Sequence, residues 1–599
     1  MKHLRYLNQY FWKYKFRFAF GILFVIIANI FSLFPPKILG LAIDVITDNI
    51  QWFKLFQGFE MREKYFFVFH SILLVFSVVI IVMALIRGLF MFFMRQTIIV
   101  MSRMIEFDLQ NEMYRHYQEL HSGFYKVNNT GDLMSRVTED VARVRMYIGP
   151  AIMYTINLIA LFVLVITTMF AVNPFLSFIV LLPLPILSYS IYKVSSMINL
   201  KSEVIQQKLS GLTTITQEVY SGIRVLKSYV REAAYAKEFD AATVDYRKSS
   251  LELSKIESFF GPLMLLLIGL STILTVFIGG IEVGKGRFTA GNIAEFVFYI
   301  NMLTWPVASL GWVASLVQRA AASQKRINEF LNTKPEIYNT TALPLDKIDS
   351  IEFNSVSFIY ENTGIKALKN ISFKIEKGQQ YAIIGRTGSG KSTLAELLLR
   401  SFDATEGEIK VNGTSILDLD MHQLRRKIGY VPQDVFLFSE TVENNIKFGN
   451  ESADLDAVKA AAMSAEIHED IEYLKDDYQT LVGERGVTLS GGQKQRISIA
   501  RALVKSPEML ILDDCLSAVD AKTEHRILTH FQEAFANRTV LFITHRIFAL
   551  MEFDKVLVLD EGRIEEQGTH AELLAKRGLY WEMYQLQQQE SINLEQKFA

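Results

Sequence analysis

Six long apolar runs in the first 320 residues constrain this chain more than any other feature. They cover roughly 18–43, 66–94, 147–172, 175–195, 257–281 and 293–317. Each supplies about 20 or more apolar residues, the length that carries a helix across a hydrocarbon core ~30 Å thick. In hydrocarbon, backbone polar groups must be paired inside the segment, so each run is predicted to be a transmembrane helix. Hydrophobic residues make up 50% of the 599, an excess that fits membrane spans. That excess is confined to residues 1–330. Residues 331–350 are polar, carry Pro335 and Pro344, and read as a linker. Residues 351–586 read as a soluble α/β domain, and 587–599 as a polar tail.

The first 17 residues hold five Lys/Arg and no acid. A secretory signal would look similar at first, but the apolar run that follows is longer than a signal core and lacks a small-residue cleavage site. The basic flank therefore places the N-terminus in the cytoplasm. Tyr6, Tyr10, Phe11, Trp12 and Tyr14 are expected to form an interfacial elbow. Spans three and four are joined by only Val172-Asn173-Pro174, which makes them an external hairpin. The long segments 95–146 and 196–256 then fall on the cytoplasmic side and continue the helical pattern. A span plus extension of ~45 residues would reach ~65 Å, well past the bilayer. Arg87 interrupts the second run; a charge inside a span can be a substrate or ion group, but its position about one membrane thickness along favours snorkelling to the cytoplasmic face. Asn29, Asn157 and Asn301 are read as helix–helix hydrogen-bonding groups. Asn128-Asn129-Thr130 fits a glycosylation sequon but lies in a cytoplasmic segment.

Two bulk properties exclude other classes. A net charge of −1 gives no basis for nucleic-acid binding. One cysteine, Cys515, permits neither an internal disulfide nor a cysteine-based zinc site.

The soluble part carries Gly385-Arg386-Thr387-Gly388-Ser389-Gly390-Lys391-Ser392-Thr393, which contains G-x-x-x-x-G-K-[ST]. An apolar strand pattern (380–384) precedes it and an apolar helix pattern (394–399) follows, the context the motif requires. Its glycines let backbone N–H groups turn toward phosphate oxygens, and the helix presents its positive N-terminal end to the same anion. Lys391 is expected to reach the β- and γ-phosphates, and Ser392 to ligate Mg²⁺. Met509-Leu510-Ile511-Leu512-Asp513 reads as a buried parallel strand ending in a carboxylate, a second Mg²⁺ group. Asp514 follows directly and is a candidate to polarise the attacking water. His545 ends another apolar strand and is expected to contact the γ-phosphate from the same crevice.

With these motifs goes Leu489-Ser490-Gly491-Gly492-Gln493, and the chain as a whole resembles the ATP-binding cassette superfamily. The fold this implies is an α-helical six-span membrane domain with long cytoplasmic extensions, fused to an α/β P-loop NTPase cassette. The pentapeptide looks like the signature that completes the ATP site of a partner cassette, so ATP and Mg²⁺ would be held between two cassettes. Tyr360 resembles the residue that stacks on adenine, and Gln433 the one that senses Mg²⁺. Ser517 and Asp520 resemble the loop joining the two composite sites. Gly483-Glu484-Arg485-Gly486 resembles the segment through which exporters contact transmission helices. Gly131 and Asp132 resemble the first cytoplasmic coupling motif, and Gly222 and Arg224 the second, with Tyr229 a candidate contact to the opposite subunit.

One position departs from the resembled pattern. Most active members carry glutamate after the Mg²⁺-binding aspartate, and here Asp514 is one methylene shorter. In the family this often marks one subunit of a heterodimer with a slow and a fast site. The resemblance thus implies a half-transporter that exports hydrophobic or amphiphilic compounds, drug or lipid, by alternating access. The expected partners are the lipid bilayer and a second half-transporter. A homodimeric lipid or peptide exporter, and a mainly regulatory ATP-binding subunit, stay open. The expected location is the cytoplasmic membrane, multi-pass, with N-terminus and cassette inside.

Overall fold

The computed structural model describes residues 2–55, 61–339, 341–483, 486, 489–516, 526–529, 538–547 and 553–598. Among the described residues, six helices are long and apolar enough to cross a membrane. They are α1 (Lys15–Ile50), α2 (Phe66–Glu119), α4 (Thr130–Val172), α5 (Pro174–Ser221), α7 (Glu232–Gly284) and α8 (Ala290–Leu331). Two short helices lie between them, α3 (Ser122–Val127) and α6 (Ile223–Ser228). The long helices run 36 to 54 residues. At 1.5 Å per residue the longest spans ~80 Å, so the expected extensions are present.

Local chemistry sets the helix ends and contacts. Asn173 accepts the Leu176 N–H at 3.0 Å, and Pro174 supplies the fixed φ of a first helical position, so the α4–α5 turn closes in one residue. Thr289 and Asn292 form a capping box at the start of α8. Asp44 of α1 adds to that cap, accepting the Gly291 N–H at 2.6 Å and the Thr289 hydroxyl at 2.7 Å. This crossing needs glycine, because a Cβ on Gly291 would lie 2.0 Å from the Gly40 carbonyl oxygen. Asn29 donates to Asn157 at 3.0 Å and joins α1 to α4 as predicted. Among the described residues Asn301 bonds its own helix alone, at the Val297 carbonyl. The aromatic elbow also differs from expectation. Tyr6 and Tyr10 donate to Glu112, and Lys13 and Tyr14 to Asp108, so the N-terminal segment is anchored on the extension of α2 rather than only at a lipid interface. Those carboxylates lie at i and i+4, on one helix face.

The cassette contains ten strands among the described residues. They are β1 (Ser350–Tyr360), β2 (Ile365–Glu376), β3 (Gln380–Gly385), β4 (Glu406–Val411), β5 (Thr414–Ser415), β6 (Ile428–Val431), β7 (Met509–Asp513), β8 (Thr539–Ile543), β9 (Lys555–Asp560) and β10 (Arg563–Gly568). Helix α9 (Lys391–Leu398) follows β3, α10 (Gly491–Leu503) precedes β7, and α11 (Leu579–Phe598) ends the chain. One sheet runs β10-β9-β3-β8-β7-β6, and the other β2-β1-β4-β5. In the larger sheet all pairs but β9–β10 are parallel. Its strands are apolar on both faces because both faces are covered. Ala382, Leu510, Leu512, Val540 and Phe542 feed one core, and Tyr381, Ile383, Ile511, Leu541 and Ile543 the other.

The chain divides into two compact units, one of Met1–Gln118 with Gly131–Thr333 and the other of Glu119–Thr130 with Lys334–Ala599. Short helix α3 thus packs with the cassette. Leu345 and Ile348, in the polar segment after α8, are buried in a cassette core.

Candidate functional site

Strands β3, β8 and β7 are neighbours and parallel, so their carboxyl ends open on one edge. Ligands of open α/β sheets bind at that edge. The strand ends are stitched together there. Thr544 N–H donates to Ile383 O at 3.1 Å, and Asp514 N–H to Ile543 O at 2.8 Å. The loop after β3, Asp513 at the end of β7 with Asp514 following it, and His545 after β8 therefore converge.

The loop itself is a wrapped backbone. Gly388 and Gly390 have φ of +83° and +98°, a region costly for other residues, and Gly390 caps α9. A Cβ on Gly385 would lie 2.1 Å from Leu559 O. Lys391 Nζ donates to the carbonyls of Gly385 and Arg386 at 2.8 and 2.9 Å. Burial lowers its pKa, opposed by the charges of Asp514 and Asp513. Among the described residues the buried Ser389 hydroxyl has no hydrogen-bond partner, so it is a donor suited to a phosphate oxygen. Arg386 and Thr387 complete the loop at exposed positions, and Thr393 is buried in the first turn of α9.

Asp513 is 2% exposed, and burial pushes its pKa up to about 6, partly offset by a hydrogen bond from Ser392. The two groups expected to hold Mg²⁺ therefore touch each other. Magnesium takes one or two protein oxygens and completes its shell with water and phosphate, so Ser392 and Asp513 suit it without further carboxylates. Gln433 lies exposed two residues beyond β6, the strand paired with β7. Asp514 has a φ of +47°, which aspartate tolerates better than most L-residues. Its Oδ1 lies 2.8 Å from His545 Nδ1.

Tyr360 closes another side. Its hydroxyl lies 3.1 Å from the Thr393 hydroxyl and donates to Glu396 at 3.0 Å. Burial and the Glu396 charge push its pKa up to about 12. Lys126 of α3 stands 5.5 Å above its ring and pairs with Glu396 at 2.6 Å. The sequence reading missed Lys126 and Glu396, because nothing local links residues 270 positions apart.

It also missed Gln587, assigned to the polar tail. Gln587 accepts the Ile547 N–H at 2.8 Å and donates to the His545 carbonyl, so α11 grips the segment carrying that histidine. The tail continues as helix to Phe598.

Ser490 caps α10. It accepts the Gln493 N–H at 3.3 Å, and the Gln493 side chain accepts the Ser490 N–H at 3.0 Å. This leaves the start of a 13-residue helix at the surface with Ser490 and Gly491 exposed, while Leu489 is buried beneath. The S-x-x-Q spacing was legible in the sequence as a capping box. Ser517, Asp520, Glu484 and Arg485 lie outside the described residues.

The coupling candidates divide. Gly222 ends α5, Arg224 lies on α6, and Tyr229 is 75% exposed beyond it. Gly131 and Asp132 lie in the first turn of α4. Asp132 pairs with Arg136 at 2.7 Å and with Arg326 of α8, which also reaches the buried Asp140 at 3.3 Å.

Within the membrane unit, a cavity of 510 Å³ opens among α1, α2, α4 and α8. Arg87 lines it, with Asn29, Asn157 and Asn301. Arg87 is itself exposed, and it shares the cavity lining with these polar groups, which the linear pattern of one helix does not reveal.

Two family profiles match the chain: ABC transporter transmembrane region over residues 18–307, and ABC transporter over 368–517. The chain is 35% identical over 587 residues to the probable multidrug resistance ABC transporter ATP-binding/permease protein YheI of Bacillus subtilis (strain 168), covering 98% of this chain and 97% of that protein. It is 33% identical to the multidrug resistance-like ATP-binding protein MdlA of Escherichia coli (strain K12), covering 98% and 96%. The ATP-dependent lipid A-core flippase of Syntrophus aciditrophicus (strain SB) is 33% identical, covering 85% and 84%. A bacterial Atm1-family ABC exporter solved with ATP bound superposes with a TM-score of 0.77 at 25% identity, covering 96% of this chain and 98% of that one.

Proposed function

Since the chain belongs to the ATP-binding cassette transporters, as an ATP-hydrolysing half-exporter with a multi-pass membrane domain and a cytoplasmic cassette, we propose that it works as the slow-site subunit of a heterodimer. The observation that carries this reading is Asp514, an aspartate at the end of β7 held 2.8 Å from His545. A general base must come within about 2.6–3.2 Å of the proton it removes. A carboxylate one methylene short, and already engaged by a histidine, is poorly placed to reach a water at the γ-phosphate.

The chain's own residues have these roles. The 385–393 loop and Lys391 bind the ATP phosphates, and Tyr360 packs on the adenine. Ser392, Asp513 and Gln433 hold Mg²⁺, which when bound neutralises phosphate charge. His545 orients the γ-phosphate, and Asp514 faces the attacking water from the greater distance that makes this site slow. The exposed start of α10, from Leu489 to Gln493, serves the partner's ATP, and the loop with Ser517 and Asp520 links the two sites. Gly131, Asp132, Gly222, Arg224 and Tyr229 relay closure of the cassettes to the spans, which exchange inward and outward openings around a hydrophobic or amphiphilic cargo.

The test is purification of the tagged chain from its native membrane. A co-purifying half-transporter with glutamate at the position of Asp514, and ATP turnover that depends on that glutamate, is the expected result. Self-association alone, with brisk hydrolysis, overturns the heterodimer.

A further inference from the structure

The membrane cavity has a chemical bias. Arg87, Met91 and Arg95 of α2 all line it, at i, i+4 and i+8 on one helix face. No Asp or Glu among the described residues lines it. Among the described residues neither arginine has an ion pair or a side-chain hydrogen bond, although carboxylates pair with Arg103, Arg136, Arg143 and Arg145 on nearby cytoplasmic segments. Charge inside a membrane protein is costly and marks a pathway or binding group when it faces an interior space.

The rest of the wall is apolar and aromatic. Phe298, Met302, Trp305 and Leu161 line the cavity beside the two guanidinium groups. Tyr154 packs against Trp305 and Trp312 at 5.5 and 5.4 Å between ring centroids. Arg95 and Tyr154 also line an adjoining cleft of 480 Å³ that reaches Trp312. Arg87 lies ~31 Å along α2 from Phe66 and Arg95 ~12 Å further, at 1.5 Å per residue. The cationic pair therefore occupies the cytoplasmic end of the span, and the apolar wall extends into the bilayer's depth.

Resting on the exporter reading, we infer that this cavity binds an acidic amphiphile, its anionic headgroup held between Arg87 and Arg95 and its apolar body against the Met and aromatic wall. A guanidinium fork meets a phosphate or carboxylate with two parallel charge-assisted hydrogen bonds, and two unpaired arginines repel a cationic head. The site discriminates by charge and tolerates varied tails, because apolar contact is non-directional. The headgroup belongs either to a membrane phospholipid or to a free amphiphile.

The experiment uses the full chain, with any partner that co-purifies, in phosphatidylcholine nanodiscs without nucleotide. Quenching of tryptophan emission is followed while dodecyl phosphate or dodecyltrimethylammonium is added. Dodecyl phosphate is expected to bind at least tenfold more tightly. Arg87→Gln and Arg95→Gln are each expected to weaken it about tenfold and leave the cationic detergent unchanged, with Lys at either position restoring most of the loss. Competition by phosphatidylglycerol in the disc identifies a lipid headgroup as the ligand, and no competition identifies a free amphiphile. Equal affinity of the wild type for the two detergents, or unchanged dodecyl phosphate binding in both glutamine variants, overturns the inference. Binding is read without hydrolysis, so a protein that selects the anion but hydrolyses no ATP would refute the exporter reading and leave the site standing.

Discussion

Asp514 Oδ1 lies 2.8 Å from Nδ1 of His545, across the joined ends of β7 and β8. The two residues proposed to position the attacking water and the γ-phosphate therefore hold each other. Asp514 is also fixed at its backbone, where its N–H bonds the Ile543 carbonyl. A longer side chain at the same Cα would carry its oxygens about one bond length further out.

Asp514→Glu is accordingly expected to raise ATP turnover about tenfold, since a 1 Å misplacement of a reacting group costs up to ~10²-fold. Steady-state phosphate release by the purified transporter reads this, and no gain shows that side-chain length does not limit the site.

Asp513 sets a pH window. Its pKa in the folded protein is about 6, above the ordinary aspartate value, because it is buried. A raised acid pKa means the folded cassette binds that proton more tightly than the unfolded chain does. Its contribution to the unliganded fold is therefore fully present below the ordinary aspartate value and is lost as pH rises from there through about 6. Mg²⁺ requires the ionised carboxylate, so the thermal stabilisation added by Mg²⁺ to ATP-bound protein is expected to shrink as pH falls through about 6. Asp513→Asn should abolish both the Mg²⁺ increment and its pH dependence.

Gln587 tests positioning at a distance from the phosphates. Gln587→Ala removes the hydrogen bonds to the His545 carbonyl and the Ile547 amide. The expected outcome is a fall of a few fold in kcat with KM for ATP little changed, because the histidine loosens while the phosphate loop stays intact. A pure KM effect would show that Gln587 supports nucleotide binding instead.

Ser490→Ala removes the α10 cap, and about 1 kcal/mol of helix stability is expected to go with it. ATP binding by this chain's own loop should persist, while turnover at the site completed by Ser490 falls. Thermal unfolding and single-turnover hydrolysis separate the two effects.

Arg326 bridges Asp132 and the buried Asp140, which Ser323 also contacts at 2.8 Å. Arg326→Ala leaves buried Asp140 with only the longer 3.7 Å ion pair to Arg143 and is expected to cost about 2 kcal/mol, seen as a lower unfolding midpoint in detergent. Lysine at this position should recover only part, since one ammonium cannot fork to two carboxylates.

Sequence alone determined what depends on local patterns. Run length and apolarity specified six spans, because an unpaired peptide group in hydrocarbon forces helix whatever the neighbours. The phosphate loop was equally legible, since its glycines, lysine and strand–helix context are contiguous, and so was the capped start of α10. Only the tertiary structure decided relations between distant segments. It brought Lys126 to Glu396 and Tyr360, tied Gln587 to His545, and turned Arg87 and Arg95 into the wall of one cavity. Three-dimensional packing sets such contacts, and they leave no periodic trace along the chain. Asp514 shows both halves of this division: its missing methylene is visible in the sequence, and the histidine that holds its carboxylate is visible only once β7 and β8 lie side by side.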